Sequence, residues 1–246
     1  MENTLLHENE RLDELNRNGY KIIQHPKRFC FGIDAVLLGA FSMVREGEKV
    51  LDIGTGTGVI PILMEARYGG TDYTGIEIQS EVADMAKRSV EYNNLSDKIR
   101  IDNADVKDAV DLYGTSNFDV ITTNPPYMTV SRGIVNPNDT KAISRHEVSV
   151  TIEDIARISS KLLREKGRFY MVHRPNRLME IIVVLGKYDL EVKRLRMVHP
   201  YIDKDANMML IEASYKGGAF MKVEKPLIVY NADGQYTNEV KKLYYD

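Results

Sequence analysis

The stretch Val50-Leu-Asp-Ile-Gly-Thr-Gly-Thr-Gly-Val-Ile-Pro-Ile62 decides the fold. Lys49 to Ile53 is a short apolar run that reads as a buried strand, and Val59 to Arg67 has helical spacing. Gly54, Gly56 and Gly58 lie between them, at a sharp strand-to-helix turn. Glycine lets backbone amides approach a ligand closely, and the N-terminus of the following helix favours negative charge. A tight turn is the plainest use of three glycines. The dinucleotide fingerprint G-x-G-x-x-G is not met, because Gly54 and Gly56 would need a glycine where Val59 stands.

Strand and helix alternate from here to the end. Thr71 to Ile78 reads as a second strand, Ser80 to Asn94 as a helix capped by Ser80, and Ile99 to Ile101 as a third strand. Phe118 to Thr122 is a fourth strand, a helix starts at Thr151, and Gly167 to His173 is a fifth strand. A helix over Arg177 to Leu185 precedes two closing strands, Leu190 to Met197 and Met208 to Ser214. This alternation predicts a mostly parallel α/β sheet with helices on both faces. The closing pair has no helix-length insert, so one of the two is expected to run antiparallel.

The ends are less regular. Leu6 to Leu15 reads as a short acidic amphipathic helix, and Tyr20 to Phe29 as a hairpin carrying Lys21, Lys27 and Arg28. Those cations are either a lysine-blunted strand edge or a nucleic-acid contact. Asp34 is placed to N-cap an apolar helix reaching about Val44. The tail from Lys216 mixes lysines and tyrosines with acids and reads as a strand or loop folded back. The expected division is an N-terminal extension over 1–30, a main domain over 31–215 and a packed tail over 216–246.

With 43% hydrophobic and 28% charged residues, the 246-residue chain suits one soluble α/β domain with an appendage. The single cysteine, Cys30, rules out an internal disulfide and agrees with a reducing compartment. Met1 to Glu14 is acidic, unlike a secretory signal, and no apolar run approaches the roughly 20 residues needed to span a bilayer. A cytoplasmic monomer with no membrane contact is expected. A net charge of -3 gives no global attraction to nucleic acid, so any such partner must be held by local patches. The five histidines show no ligand spacing, and no metal is expected.

Asn124-Pro-Pro-Tyr127 follows the fourth strand directly. Two prolines stop a strand and make a rigid turn, which explains neither the Asn nor the Tyr. In open α/β sheets ligands bind beyond the carboxyl ends of strands, and the glycine loop, Glu77, the loop with Asp105, and Asn124 all fall at such ends. Met128 to Glu147 is a long polar stretch offering Arg132, Lys141, Arg145 and His146; it reads either as a solvated loop or as a gate over a substrate.

The form Asp52-x-Gly54-x-Gly56-x-Gly58 resembles motif I of class I S-adenosylmethionine-dependent methyltransferases, a Rossmann-like fold with a seven-stranded sheet. The resemblance implies that the loop lies under the cofactor's methionine portion and that Glu77, 23 residues after Gly54, holds the ribose hydroxyls. It also implies that an acid after the third strand meets the adenine amino group, where Asp105 matches best and Asn103 is the alternate. Phe31-Gly-Ile-Asp34-Ala-Val-Leu-Leu38 resembles a run that packs beside the cofactor pocket in methyltransferases of adenine or glutamine. Asn124-Pro-Pro-Tyr127 resembles their motif IV, implying that the Asn124 side chain and the Pro125 carbonyl accept the N–H groups of a planar nitrogen while Tyr127 stacks on it. Together the runs are similar to bacterial tRNA adenine-N6 methyltransferases acting on position 37 of valine tRNA, which implies tRNA as partner with Lys27, Arg28, Arg132 and Arg145 on its phosphates. Protein-glutamine methyltransferases acting on release factors share the motif, but they carry an N-terminal helical bundle for which residues 1–30 are too short.

Overall fold

The computed structural model describes residues 5–26, 30–70, 72–127 and 150–245. The chain opens with an antiparallel hairpin, β1 (Arg11–Glu14) and β2 (Lys21–Gln24), in register from Arg11 opposite Gln24 to Glu14 opposite Lys21. This corrects two expectations: no helix runs over 6–15, and the segment from Tyr20 supplies only the second strand of a hairpin. The cause is local. Asn9, Asn16, Asn18 and Gly19 all take positive φ, a left-handed backbone that an α-helix does not accommodate.

α1 (Ile33–Phe41) leads into β3 (Lys49–Ile53), α2 (Val59–Tyr68), β4 (Asp72–Glu77), α3 (Ser80–Tyr92) and β5 (Ile99–Asn103). After the short α4 (Ala109–Tyr113) come β6 (Phe118–Thr123), α5 (Ile152–Leu162), β7 (Leu163–His173), α6 (Leu178–Lys187), β8 (Leu190–His199) and β9 (Met208–Tyr215). The long strands lie in the order β8-β9-β7-β6-β3-β4-β5. All neighbours pair in parallel except β9, which is antiparallel to both β7 and β8. The tail adds β10 (Lys222–Val223) and β11 (Leu227–Ile228) beside β8 and ends in α7 (Asn238–Tyr245).

Side chains alternate across the sheet with a period of two. Val50, Tyr73, Val120 and Tyr170 pack on one face with α1, α2, α3 and Val240 of α7. Leu51, Ile76, Ile121 and Phe169 pack on the other with α4, α5 and α6. The central strands β3, β4 and β6 are buried on both faces, which is why Val50-Leu51 in β3 and Val120-Ile121 in β6 are consecutive apolar residues rather than an alternation with polar ones. A capping box starts α5: Asp154 N–H donates to Thr151 Oγ1 at 3.0 Å, and Thr151 N–H to Asp154 Oδ2 at 3.2 Å.

The strand order reverses at β3. The chain builds outward through β4 and β5, then returns to lay β6 on the other side of β3. A crevice opens at such a reversal, at the carboxyl ends of the strands.

The N-terminal segment is fastened to α3. Ile23 N–H donates to Ser89 Oγ at 2.9 Å, Lys21 N–H to Asn93 Oδ1 at 2.9 Å, and Asn93 Nδ2 to the Lys21 carbonyl at 2.7 Å. Arg88 binds both carboxylate oxygens of Glu10 at 2.7 Å, the Leu5 carbonyl at 2.6 Å and Asp84 at 2.8 Å. The Arg88 and Glu10 side chains are only 10% and 6% exposed. Removing one partner of a shielded pair leaves the other charge uncompensated. Arg88→Ala is therefore expected to lower stability by about 3 kcal/mol in urea denaturation. Asp84→Asn, at the exposed side of the same network, should cost less than about 1 kcal/mol.

Candidate active site

The loop after β3 is built by its glycines. Gly54, Gly56 and Gly58 have φ of 69°, 58° and 85°, all in the left-handed region that favours glycine. Gly54 and Thr55 N–H both donate to the Ile76 carbonyl, at 3.0 and 3.1 Å, so the loop folds over the end of β4. The neighbouring strand makes room for it. A Cβ on Gly75 would sit 2.8 Å from Thr55 Cγ2 and 2.9 Å from Ile101 Cδ1.

Glu77 joins the two strand ends. Its Oε2 accepts Gly56 N–H at 3.0 Å and its Oε1 accepts Gln79 N–H at 3.0 Å, while its side chain stays buried. An ionised carboxylate has about four lone-pair sites, so capacity remains for two ligand hydroxyls. No side chain caps α2, whose first N–H groups therefore remain open beside the loop. Below the loop, Asp52 accepts a hydrogen bond from Thr122 Oγ1 at 2.7 Å and lies beside the Thr55 hydroxyl, and Thr57 Oγ1 is buried without a partner. Burial pushes the Asp52 carboxyl up to about 7; the Thr122 and Thr55 hydroxyls oppose the rise and the Glu77 charge adds to it. A glycine cradle with open helix N–H groups, beside a carboxylate with free lone pairs, fits a nucleoside-bearing cofactor.

The second half of the site lies across the reversal, at the end of β6. Tyr127 OH reaches Asp34 Oδ2 at 2.6 Å and Asn124 Oδ1 at 3.1 Å, sharing its proton between them. Burial raises the Tyr127 pKa, and the Asp34 charge raises it further, so the phenol stays protonated. Behind the ring stands His173, at the end of β7, with centroids 5.4 Å apart and planes at 70°. The Arg174 guanidinium lies 4.7 Å from the Tyr127 centroid. Burial, with Arg177 nearby, lowers the His173 pKa to about 4, so the ring is neutral near pH 7. Its Nδ1 accepts the Arg174 N–H at 2.8 Å, and its Nε2 is buried without a partner.

The structure brings Asp34, Asp52, the three glycines, Glu77, Asn124, Pro125 and Tyr127 to one edge of the sheet. Asp34 is not an N-cap. Gly32 stands at the N-cap of α1 and gives no side-chain cap, and Asp34 is the helix's second residue, with one carboxylate oxygen on Ala35 N–H at 2.9 Å and the other on Tyr127. Ser80 does not cap α3 either; Gln79 holds that position, tethered to Glu77. Asp105 lies after β5, where its side chain accepts Lys107 N–H at 2.9 Å, and the adjacent Ala104 N–H donates to the Glu77 carbonyl. Asn103 uses its Nδ2 to clamp the carbonyls of Glu77 and Ile78. Lys27, Arg28, Arg132, Lys141, Arg145 and His146, and with them the expected gate over 128–147, lie outside the described residues. His173 and Arg174 had no distinguishing spacing. The signal available was a polar pair, His173-Arg174, followed by Pro175 at the end of a buried strand. Among the described residues no group of His, Cys, Asp and Glu could hold a metal ion, and no helix is long and apolar enough to cross a membrane.

This strand order, with a glycine loop at the reversal, is the class I methyltransferase fold. Residues 20–188 match the family described as the methyltransferase small domain, and the chain belongs to that family. It is an enzyme whose cofactor is S-adenosyl-L-methionine. The chain is 30% identical over 220 residues to the tRNA1(Val) (adenine(37)-N6)-methyltransferase of Porphyromonas gingivalis, with 86% of each chain covered. Among solved structures it is similar to a predicted O-methyltransferase from Agrobacterium tumefaciens, with a TM-score of 0.69, 24% identity, and 86% of this chain and 95% of that one covered. A geranyl diphosphate methyltransferase in complex with SAM shares the fold at a TM-score of 0.56 and 15% identity, covering 74% of this chain and 84% of that one.

Two expectations follow from this geometry. Glu77→Ala should weaken cofactor binding by about 2–3 kcal/mol in calorimetry, the scale of a lost charge-assisted hydrogen bond. The Asp52 pKa is higher folded than unfolded. Its carboxyl therefore supports the fold fully below about pH 4, and that contribution is lost as pH rises through about 7. Asp52→Asn should remove this decline, read as the difference in melting temperature between variant and parent from pH 4.5 to 8.

Proposed function

We propose that the enzyme transfers the cofactor's methyl group to the exocyclic N6 of adenine in tRNA, with position 37 of the anticodon loop as the target. The observation that carries the chemistry is the Asn124–Tyr127–Asp34 hydrogen-bond chain at the crevice. The name of the Porphyromonas gingivalis relative supports the choice of substrate.

An exocyclic amine conjugated with a purine ring is a poor nucleophile, because its lone pair is delocalised. The cofactor supplies an electrophilic methyl on a sulfonium; the chain's own part is to orient the nitrogen. Asn124 Oδ1 takes one contact from Tyr127 and keeps a second lone pair for a substrate N–H. The Pro125 carbonyl is the second acceptor. Two fixed acceptors align the nitrogen and favour the pyramidal form in which positive charge develops. Asp34 holds Tyr127 by its hydroxyl, which sets the plane of the ring on which the base stacks. A contact of this kind is worth about 1–3 kcal/mol per base. Glu77 and the glycine loop hold the cofactor, with Asp52 beneath them and Asp105 toward its adenine. Lys27, Arg28, Arg132 and Arg145 contribute to phosphate binding, and the enzyme acts as a cytoplasmic monomer. A loop base is already unstacked or easily flipped, so the cost of opening a duplex is largely avoided.

The test is methyl transfer from labelled cofactor to total tRNA, a release factor and DNA, followed by nucleoside and amino-acid analysis. N6-methyladenosine in tRNA is expected. Methylglutamine in the release factor without it would overturn the assignment. Asn124→Ala should retain cofactor affinity in calorimetry while turnover falls at least about 10²-fold, the scale of one lost transition-state contact. Methylation by Asn124→Ala at the parental rate would reduce the motif to a turn.

A further inference from the structure

β6 and β7 are parallel neighbours, with Thr123 opposite Met171, so Asn124–Tyr127 and His173–Arg174 leave adjacent strand ends at the same edge. Arg174 is exposed, yet it is held at three points. Its N–H donates to His173 Nδ1, its Nη1 donates to the Asn207 carbonyl at 2.7 Å, and its guanidinium lies against the Tyr127 ring. Its neighbours in sequence are differently placed. Arg168 is paired with Glu48, and Arg177 with Glu180 at 2.8 Å. Among the described residues Arg174 meets no carboxylate, so its charge at the mouth of the site is not neutralised there.

A guanidinium has five N–H donors, and Asn207 engages one. The rest form a planar fork that matches a phosphate, a stronger contact than one to a neutral carbonyl. His173 supplies the rigidity. It is fully buried and neutral, and it fixes both the backbone of Arg174 and the edge of Tyr127. The cation therefore stands at a set distance from the ring proposed to stack the target base. A nucleotide brings a phosphodiester with its base, whereas a glutamine side chain brings none.

We propose that Arg174 binds the phosphodiester of the target nucleotide and so makes the site selective for nucleic acid over peptide. This rests on the tRNA reading above and adds a residue to it. Arg174 is a specificity-determining residue: it grips the nucleotide whose base Asn124, Pro125 and Tyr127 orient.

The experiment compares the parent enzyme with Arg174→Ala and Arg174→Lys on a tRNA transcript at several salt concentrations, with cofactor affinity by calorimetry as the control for folding. If the parent forms no N6-methyladenosine, the substrate reading fails before Arg174 is in question. Given that product, Arg174→Ala is expected to raise KM for tRNA about tenfold or more. It should also lower the slope of log kcat/KM against log salt by about one unit, the signature of one lost phosphate contact. Arg174→Lys should restore the slope with only part of the affinity, since an ammonium keeps the charge without the fork. An unchanged salt slope in Arg174→Ala would overturn the proposal, whether KM is unchanged or kcat alone falls, because a side chain that merely props Tyr127 has no salt signature. Should Arg174→Ala lose cofactor binding, Arg174→Lys decides: a parental slope supports the phosphate contact, and a slope lowered by a full unit overturns it.

Discussion

A single carboxylate ties the two halves of this crevice wall together. Glu77, buried at the end of β4, accepts an N–H from the glycine loop after β3 and another from the start of α3. With the Gly54 and Thr55 N–H bonds to the Ile76 carbonyl, they fix the path of a loop of three left-handed glycines, a residue that loses more freedom on ordering than any other. The same carboxylate is the group proposed to meet the cofactor's ribose. In that proposal, shaping the site and binding its ligand fall to one side chain, with Asp52 kept below it in surroundings that disfavour a second negative charge.

The crossing between β3 and β6 extends this constraint to the target side. Thr122 hydrogen-bonds Asp52, and Thr123 Oγ1 donates to the Ile53 carbonyl at 3.1 Å, so the two strand ends are fastened just before their loops diverge. Asp34 then closes the circuit from α1 through Tyr127 to Asn124. Cofactor loop and target motif thus share a rigid floor, which a transfer between two bound groups requires: a misplacement of about 1 Å can cost about 10²-fold in rate.

The misreadings of the sequence share a physical origin. Leu6 to Leu15 has helix-like spacing, but Leu5, Leu6 and Leu12 pack with Ile23, Val82 and Met85, on a surface that the rest of the chain provides. Asparagines in left-handed turns and a buried Arg88–Glu10 pair then favour a hairpin. Asp34 has the composition and position of a cap, yet its carboxylate faces a tyrosine 93 residues away. Local rules describe what a residue can do alone. They do not register a competing partner that folding brings within reach.

By itself the sequence determined the class of fold, the antiparallel closing strand, the glycine loop with Glu77, and the Asn124–Tyr127 motif. Those features are written in periodicity, in turn chemistry and in motifs whose members lie close together in the chain. The tertiary structure alone decided that Asp34 belongs to Tyr127 and that Asn103 clamps the end of β4. It alone placed His173 and Arg174 beside the target motif. Each of these is a contact between separate elements, created when parallel strands align their carboxyl ends at one edge and α1 brings Asp34 to it, and such an arrangement leaves no trace in local spacing.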